Sequence, residues 1–176
     1  MKYKNIVPSQ NEKVMTDDAL IISKTDIKGK ITYGNRTFND YSGFSENEYL
    51  GIQHNIVRHP DMPRAVFKLF WDEVQAGREV FAFVKNLCKD GSFYWVFANV
   101  TPSHDTNGNV IGYFSVRRKP NRQALPQVSQ LYQQMLNAER QAGTRDAIEA
   151  STAILRAALA SANSSYENWV LKLQGA

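Results

Sequence analysis

The sequence predicts an α+β domain: a five-stranded antiparallel sheet with short helices on one face, continued by a C-terminal helical extension. Three observations carry that reading. Two β-prone runs flank a glycine turn, helix caps and helical spacings follow, and three further β-prone runs are joined by Asp-Gly and Asn-Gly pairs.

The elements follow in order. Residues 1–18 are polar and patternless and are expected to form an N-terminal cap. Ala19–Thr25 and Lys30–Tyr33 surround the turn Asp26-Ile-Lys-Gly29 and read as a hairpin. A polar stretch opens at Asn35, and Ser45-Glu-Asn-Glu48 has the capping-box spacing of a short helix that Gly51 ends. Val66, Phe67, Phe70, Trp71 and Val74 recur at helical spacing up to Gly77. Val80–Val84 and Phe93–Phe97 then flank Asp90-Gly91, and Val110–Val116 follows Asn107-Gly108. Pro120 and Pro126 mark a change of regime. From there Val128, Leu131, Tyr132, Met135 and Leu136 line one helix, stopped by Gly143. A second helix starts at Thr144, and a third follows the capping-box spacing Ser164–Glu167. Three apolar helix faces require partners: each other, the sheet or another protein. The chain thus divides into 1–18, 19–119 and 120–176.

With 176 residues, 43% apolar and 22% charged, the chain has the composition of a soluble globular protein. Its apolar runs fall far short of the ~18 residues of a membrane span, and its N-terminus lacks a secretory apolar region with a cleavage site. The single Cys88 fits a reducing compartment, so a cytoplasmic location is expected. The net charge of +4 is concentrated in Arg117–Arg122, read here as a solvated junction between segments. No stacking aromatics or reading helix accompany it, which argues against nucleic acid.

The segment Asn55-Ile-Val-Arg-His-Pro-Asp-Met-Pro63 is the richest in chemistry. Pro60 pushes His59 towards an extended conformation, Asp61 reads as a helix N-cap, and Pro63 fits the first turn. Arg58, His59 and Asp61 are then either a capped helix start with a surface ion pair or a ligand site. As a ligand site, the forked guanidinium and the helix N-terminus suit an anionic or carbonyl-rich molecule. The histidine supplies a group that titrates with its redox state. Trp71 lies on an apolar stripe and reads first as core, second as a ligand contact. Asn35 and Asn86 sit at element edges, as turn or cap residues or as amide donors. His54, His59, His104 and the lone Cys88 form no zinc spacing, and no nucleophile elbow, P-loop or zincin pattern appears. No enzymatic activity is expected.

The stretch around Arg58–Pro63, with Ser23, Asp26, Ile31-Thr32, Phe38, Ser42-Gly43, Val84-Lys-Asn86, Tyr94-Trp-Val96 and Gly112-Tyr113, resembles the PAS domain of the aerotaxis receptor Aer family. The resemblance runs from about Ala19 to Lys119 and implies a PAS sensor domain that binds FAD non-covalently and reports redox state or oxygen. Carried over by position, it makes Arg58, His59 and Asp61 flavin-site residues, with Asn35, Asn86 and Trp71 as further cofactor contacts. Val80 stands where that family has a tryptophan linked to the flavin, leaving Phe81 or Phe83 to supply an aromatic wall. Blue-light flavin domains use a cysteine on a central helix; Cys88 instead falls on a predicted strand. The helical tail is similar to that of stand-alone PAS proteins such as CetB. That implies a homodimer signalling to a separate chemotaxis-type transducer, with any membrane association through that partner. A PAS module holding haem or another small ligand, and an empty dimerisation or interaction module, are the alternative readings.

Overall fold

The computed structural model describes residues 6–175, so Met1–Asn5 of the expected N-terminal cap, and Ala176, lie outside the described residues. Strands β1 (Ile21–Asp26) and β2 (Ile31–Gly34) are followed by helices α1 (Arg36–Ser42) and α2 (Glu46–Tyr49), a 3-10 turn (His54–Val57) and α3 (Arg64–Gln75). Strands β3 (Val80–Leu87), β4 (Phe93–His104) and β5 (Val110–Arg118) complete the sheet, and α4 (Leu125–Ser161) and α5 (Tyr166–Gln174) close the chain. The five strands are antiparallel in the order β2-β1-β5-β4-β3, the ββ–helices–βββ arrangement the sequence predicts.

Strand alternation separates two faces. In the β3–β4 ladder, Ala82 pairs with Ala98, Val84 with Val96 and Asn86 with Tyr94, on the face covered by the short helices. Phe83 with Phe97, Lys85 with Trp95 and Leu87 with Phe93 take the opposite face. There the C-terminal helices settle: the Trp95 and Tyr132 rings lie 6.3 Å apart, and the Tyr132 hydroxyl donates to the Phe83 carbonyl at 2.8 Å. One continuous core therefore spans both faces, from Phe38 and Val66 inside to Met135 and Val170 outside. The three apolar helix faces find their partners largely within the chain.

Several elements depart from expectation for local reasons. Before β1 the chain is tied to the sheet: the Lys13 N–H donates to the Phe93 carbonyl and the Phe93 N–H to the Asn11 carbonyl, on a stretch of β4 that β5 leaves unpaired. Strand β4 runs on from Phe97 to His104; β3 ends at Val80, opposite Val100, so Pro102 lies where β4 has an open side and its missing N–H costs no ladder bond. Cys88 lies just beyond β3 rather than on it. Helix α4 carries the expected break at Gly143 (φ 74°, ψ 176°), and α5 is capped by Ser165 rather than Ser164. Among the described residues no helix is long and apolar enough to cross a membrane.

At Gly112 the β5 backbone passes so close to β1 that an added Cβ would lie 2.2 Å from the Thr25 carbonyl oxygen. Gly112→Ala is therefore expected to destabilise the fold by roughly 1–3 kcal/mol through forced separation of β1 and β5. Urea unfolding measures this, and an unchanged midpoint would contradict the close approach.

Candidate functional site

Between the inner sheet face and the helices lies a cavity of about 250 Å³. Its helical wall is built by Phe67, Phe70, Trp71 and Val74, whose spacing puts them on one face of α3. Its sheet wall carries short side chains, Ser23, Thr25, Ala98 and Ser115, which leave the room that larger residues would fill. The remaining wall comes from the 3-10 turn and Arg58, whose backbone bridges to Asn86 on the edge strand β3.

The floor is polar. Arg117 follows Tyr113 and Ser115 on the inward side of β5 and is 5% exposed. Its Nη2 donates to Ser23 Oγ at 2.9 Å and to His54 Nε2 at 2.7 Å, and no carboxylate pairs with it among the described residues. Burial lowers its pKa to about 10, so it remains a cation at neutral pH. His54 must accept that bond through Nε2, which places its own proton on Nδ1. Burial first, and the adjacent Arg117 charge second, hold the imidazole neutral down to about 3. Three buried donor-bearing atoms of the lining residues have no partner: Arg117 Nη1, Asn86 Nδ2 and Ser115 Oγ. Buried polar atoms are normally satisfied, and these three of the seven unpartnered ones among the described residues sit on residues that line one cavity, where an acceptor can meet them.

At the mouth, Trp71 is 37% exposed and stands edge-on to Tyr113 at 5.4 Å. A Cβ on Gly29 would come within 2.9 Å of its indole, so the β1–β2 turn passes directly beneath the ring. Arg58 lies with its Cζ 4.5 Å from the Phe67 ring centre, and its Nη2 donates to the Met62 carbonyl at 2.9 Å. Its backbone and side chain are thus fixed from opposite sides of the wall.

Of the six residues singled out from sequence, the structure brings Arg58, Asn86 and Trp71 to the cavity. Trp71 is a mouth residue rather than the core residue its stripe suggests. Asn35, His59 and Asp61 do not line it. Asn35 caps α1, accepting from the Phe38 and Ile22 N–H groups and donating to the Leu20 carbonyl, so its side chain serves the β1–α1 junction. His59 is buried behind the cavity wall: its Nδ1 accepts the Asp61 N–H at 3.1 Å, and its ring meets Phe93 edge-on. Asp61 pairs with Lys85 at 2.7 Å over the outer face. Burial alone would raise the Asp61 carboxyl, but the Lys85 bond and charge hold it below its ordinary value.

Asp61 is not the N-cap either. Met62 N–H bonds back to the His59 carbonyl, a turn that Pro60 favours at its second position, and α3 starts only at Arg64 with Pro63 as N-cap. Phe81 and Phe83 supply no aromatic wall, since both lie with Phe97 on the outer face; the cavity's aromatics are Phe67, Phe70, Trp71 and Tyr113. Cys88 is absent from the lining, its thiol donating to the Tyr41 carbonyl. Sequence reasoning missed His54, Ser23 and Arg117. Arg117 was legible in principle: extending the alternation of Tyr113 and Ser115 by one step turns it inward, out of the presumed solvated junction.

The profile of the PAS fold matches residues 18–119. Over 132 residues the chain is 39% identical to the aerotaxis receptor of Escherichia coli strain K12, covering 75% of this chain and 26% of that receptor. The chain therefore spans about a quarter of that relative's length. Among solved structures, the LOV domain of the blue-light photoreceptor Aureochrome1 superposes with a TM-score of 0.54 at 25% identity, over 66% of this chain and 91% of the other. A light-oxygen-voltage domain studied with a flavin analogue gives 0.53 at 25% identity, over 62% and 82%.

The neutral His54 has a measurable consequence. Its folded pKa lies below the ordinary 6.5, so above that pH neither folded nor unfolded chain is protonated there and stability is unaffected. As pH falls from about 6.5 towards about 3, the unfolded chain takes up the proton first and stability drops, by at most about 1.4 kcal/mol per pH unit for this group. His54→Gln keeps an acceptor for Arg117 and cannot titrate. Its thermal midpoint is expected to fall less steeply over that window than the parent's; parallel curves would refute the buried neutral imidazole.

Proposed function

The chain belongs to the PAS fold family, and we propose that within it the protein is a redox or oxygen sensor of the energy-taxis kind, holding FAD non-covalently and relaying flavin redox state to a chemotaxis-type signalling partner. The observation that carries this reading is the set of unpartnered donors, Arg117 Nη1, Asn86 Nδ2 and Ser115 Oγ, on residues facing an otherwise aromatic and aliphatic cavity. A fused ring with one apolar end and one edge of carbonyl and imine acceptors satisfies both parts of that lining. The cavity of about 250 Å³ leaves room for such a ring system. Arg58, at the cavity wall, would offer forked donors to the phosphates of FAD.

A bound flavin supplies reversible electron uptake, with a change of charge and protonation at its ring. The chain's residues set the terms of that change. Arg117 favours added negative charge beside it, because it is a buried cation with no carboxylate of its own. His54 and Ser23 fix the guanidinium in place without neutralising it. Asn86, on the edge strand, joins the cavity to the outer face through its neighbour Lys85. The signal then reaches a partner through a homodimer in the cytoplasm.

The same geometry favours sensing over turnover. Ser23 Oγ lies 3.0 Å from His54 Nε2, the spacing of a nucleophile and its base. Arg117 donates to both atoms and the imidazole resists protonation down to about 3, so it is a poor base. That occupied Nε2 equally disfavours haem, since His54 is the cavity's one histidine among the described residues.

The purified chain is expected to show flavin absorption bands, with FAD as the released cofactor. Arg117→Met should weaken FAD binding by about tenfold or more while raising the melting temperature of the flavin-free protein, because it removes an uncompensated buried charge. A Soret band, or no flavin uptake when FAD is supplied, would sink the proposal.

A further inference from the structure

The outer face of the sheet carries a second hollow, a groove of about 360 Å³ that shares no lining residue with the first cavity. Phe93 and Trp95, alternate residues of β4, form its floor. The start of α4 forms its wall, from Leu125 to Tyr132, whose ring lies beside Trp95. Both flanks are charged. On the β3 side, Lys85 lies opposite Trp95 in the ladder and holds Asp61 at 2.7 Å. On the other side, the segment before β1 meets β4 through the Glu12–Phe93 bridge, and Glu12 pairs with Arg122. The two ion pairs are not equivalent. Arg122 grips Glu12 as a fork, Nη1 to Oε1 and Nη2 to Oε2, so both carboxylate oxygens are engaged. Lys85 makes one hydrogen bond, to Asp61 Oδ2, with its ammonium 4.2 Å from the centre of the Phe93 ring. Among the described residues, its other N–H groups and Asp61 Oδ1 have no hydrogen-bond partner. The Lys85 side chain is only 14% exposed, so a charge-assisted bond formed there is little weakened by water.

We propose that this groove is a second binding site, for a zwitterionic amino acid with an aromatic side chain. The ligand carboxylate meets the Lys85 ammonium and the ligand ammonium meets Asp61 Oδ1, closing a ring of alternating charges that adds no net charge to the groove. The ligand ring lies on the floor beside Trp95 and Tyr132, against the apolar start of α4, where aromatic pairing is favourable. A ligand with one charge alone sets a like charge against either Lys85 or Asp61, so the pair selects for both charges together. The groove is large enough, since small-molecule sites begin at roughly 300 Å³. The site is independent of what the inner cavity holds.

Calorimetric titration of the full chain with L-phenylalanine is expected to show saturable binding. Phenethylamine lacks the carboxylate and N-acetyl-L-phenylalanine lacks the ammonium, so each should bind about tenfold or more weakly than the amino acid. Lys85→Met keeps an apolar stem over Phe93 and should abolish the binding. Ser129→Phe leaves both ion pairs in place and fills the groove from α4, so it should abolish the binding as well. That second variant decides the matter if the Lys85→Met chain does not fold. Absence of saturable L-phenylalanine binding to the parent overturns the proposal. So does equal binding of either single-charge analogue, or binding that survives Ser129→Phe.

Discussion

The guanidinium of Arg117, buried between sheet and helices and without a carboxylate partner among the described residues, is the constraint around which the rest of the domain is arranged. A lone buried cation destabilises a fold unless every hydrogen it carries is met. Here Ser23 and His54 meet part of the need, and each comes from a different element: β1 and the 3-10 turn. The turn is brought to the sheet by backbone bonds, His54 N–H to the Gly29 carbonyl and Ile31 N–H to the Ile52 carbonyl. The hairpin turn at Gly29, the 3-10 turn and β5 are therefore held together at the floor of the cavity. What they leave open is Nη1 of the same guanidinium.

The second constraint is the edge strand β3. Its residues alternate between two environments, Val84 and Asn86 towards the cavity, Phe83 and Lys85 towards the C-terminal helices. Each outward residue is tied down: the Phe83 carbonyl accepts the Tyr132 hydroxyl, and the Lys85 ammonium holds Asp61. The Arg58 backbone bridges to Asn86 from the open side of the strand, covering an edge that would otherwise be exposed. His59 and Asp61 therefore act beside the cavity rather than within it. They shape the turn from which Arg58 reaches the wall, which explains how the Arg58, His59, Asp61 trio sends only Arg58 to the site.

The element order was legible because it rests on local signals: period-two runs, Asp-Gly and Asn-Gly turns, a capping box at Ser45–Glu48 and helical spacing from Val66 to Val74. The site was legible only in part. Arg58, Asn86 and Trp71 could be singled out, but Arg117 was hidden in a basic run at a strand end, where charge ordinarily means solvent. His54 was hidden for the opposite reason, as an isolated histidine whose partner lies 63 residues away. Asp61 looked like a cap because Asp-Met-Pro has the composition of one. The actual cap comes from Glu139, 75 residues away on a helix whose packing no local pattern specifies.

These long-range contacts share a physical logic. A domain that simply maximised stability would replace Arg117 with an apolar residue and leave no donor unpaired, since interiors tolerate volume-conserving apolar exchange far better than uncompensated charge. This one keeps a cation and three unpartnered donor-bearing atoms around one cavity, and caps a helix of its wall with a buried carboxylate borrowed from another element. Such an arrangement is less stable empty than filled, and its stability depends on the charge of what fills it. A change of charge at the cavity must then be felt by Arg117 on the floor and by Arg58 on the wall. Only the wall is in contact with a carboxylate of α4, through the Arg64 N–H that Glu139 accepts. That asymmetry joins the cavity to α4 through its helical wall rather than through its floor.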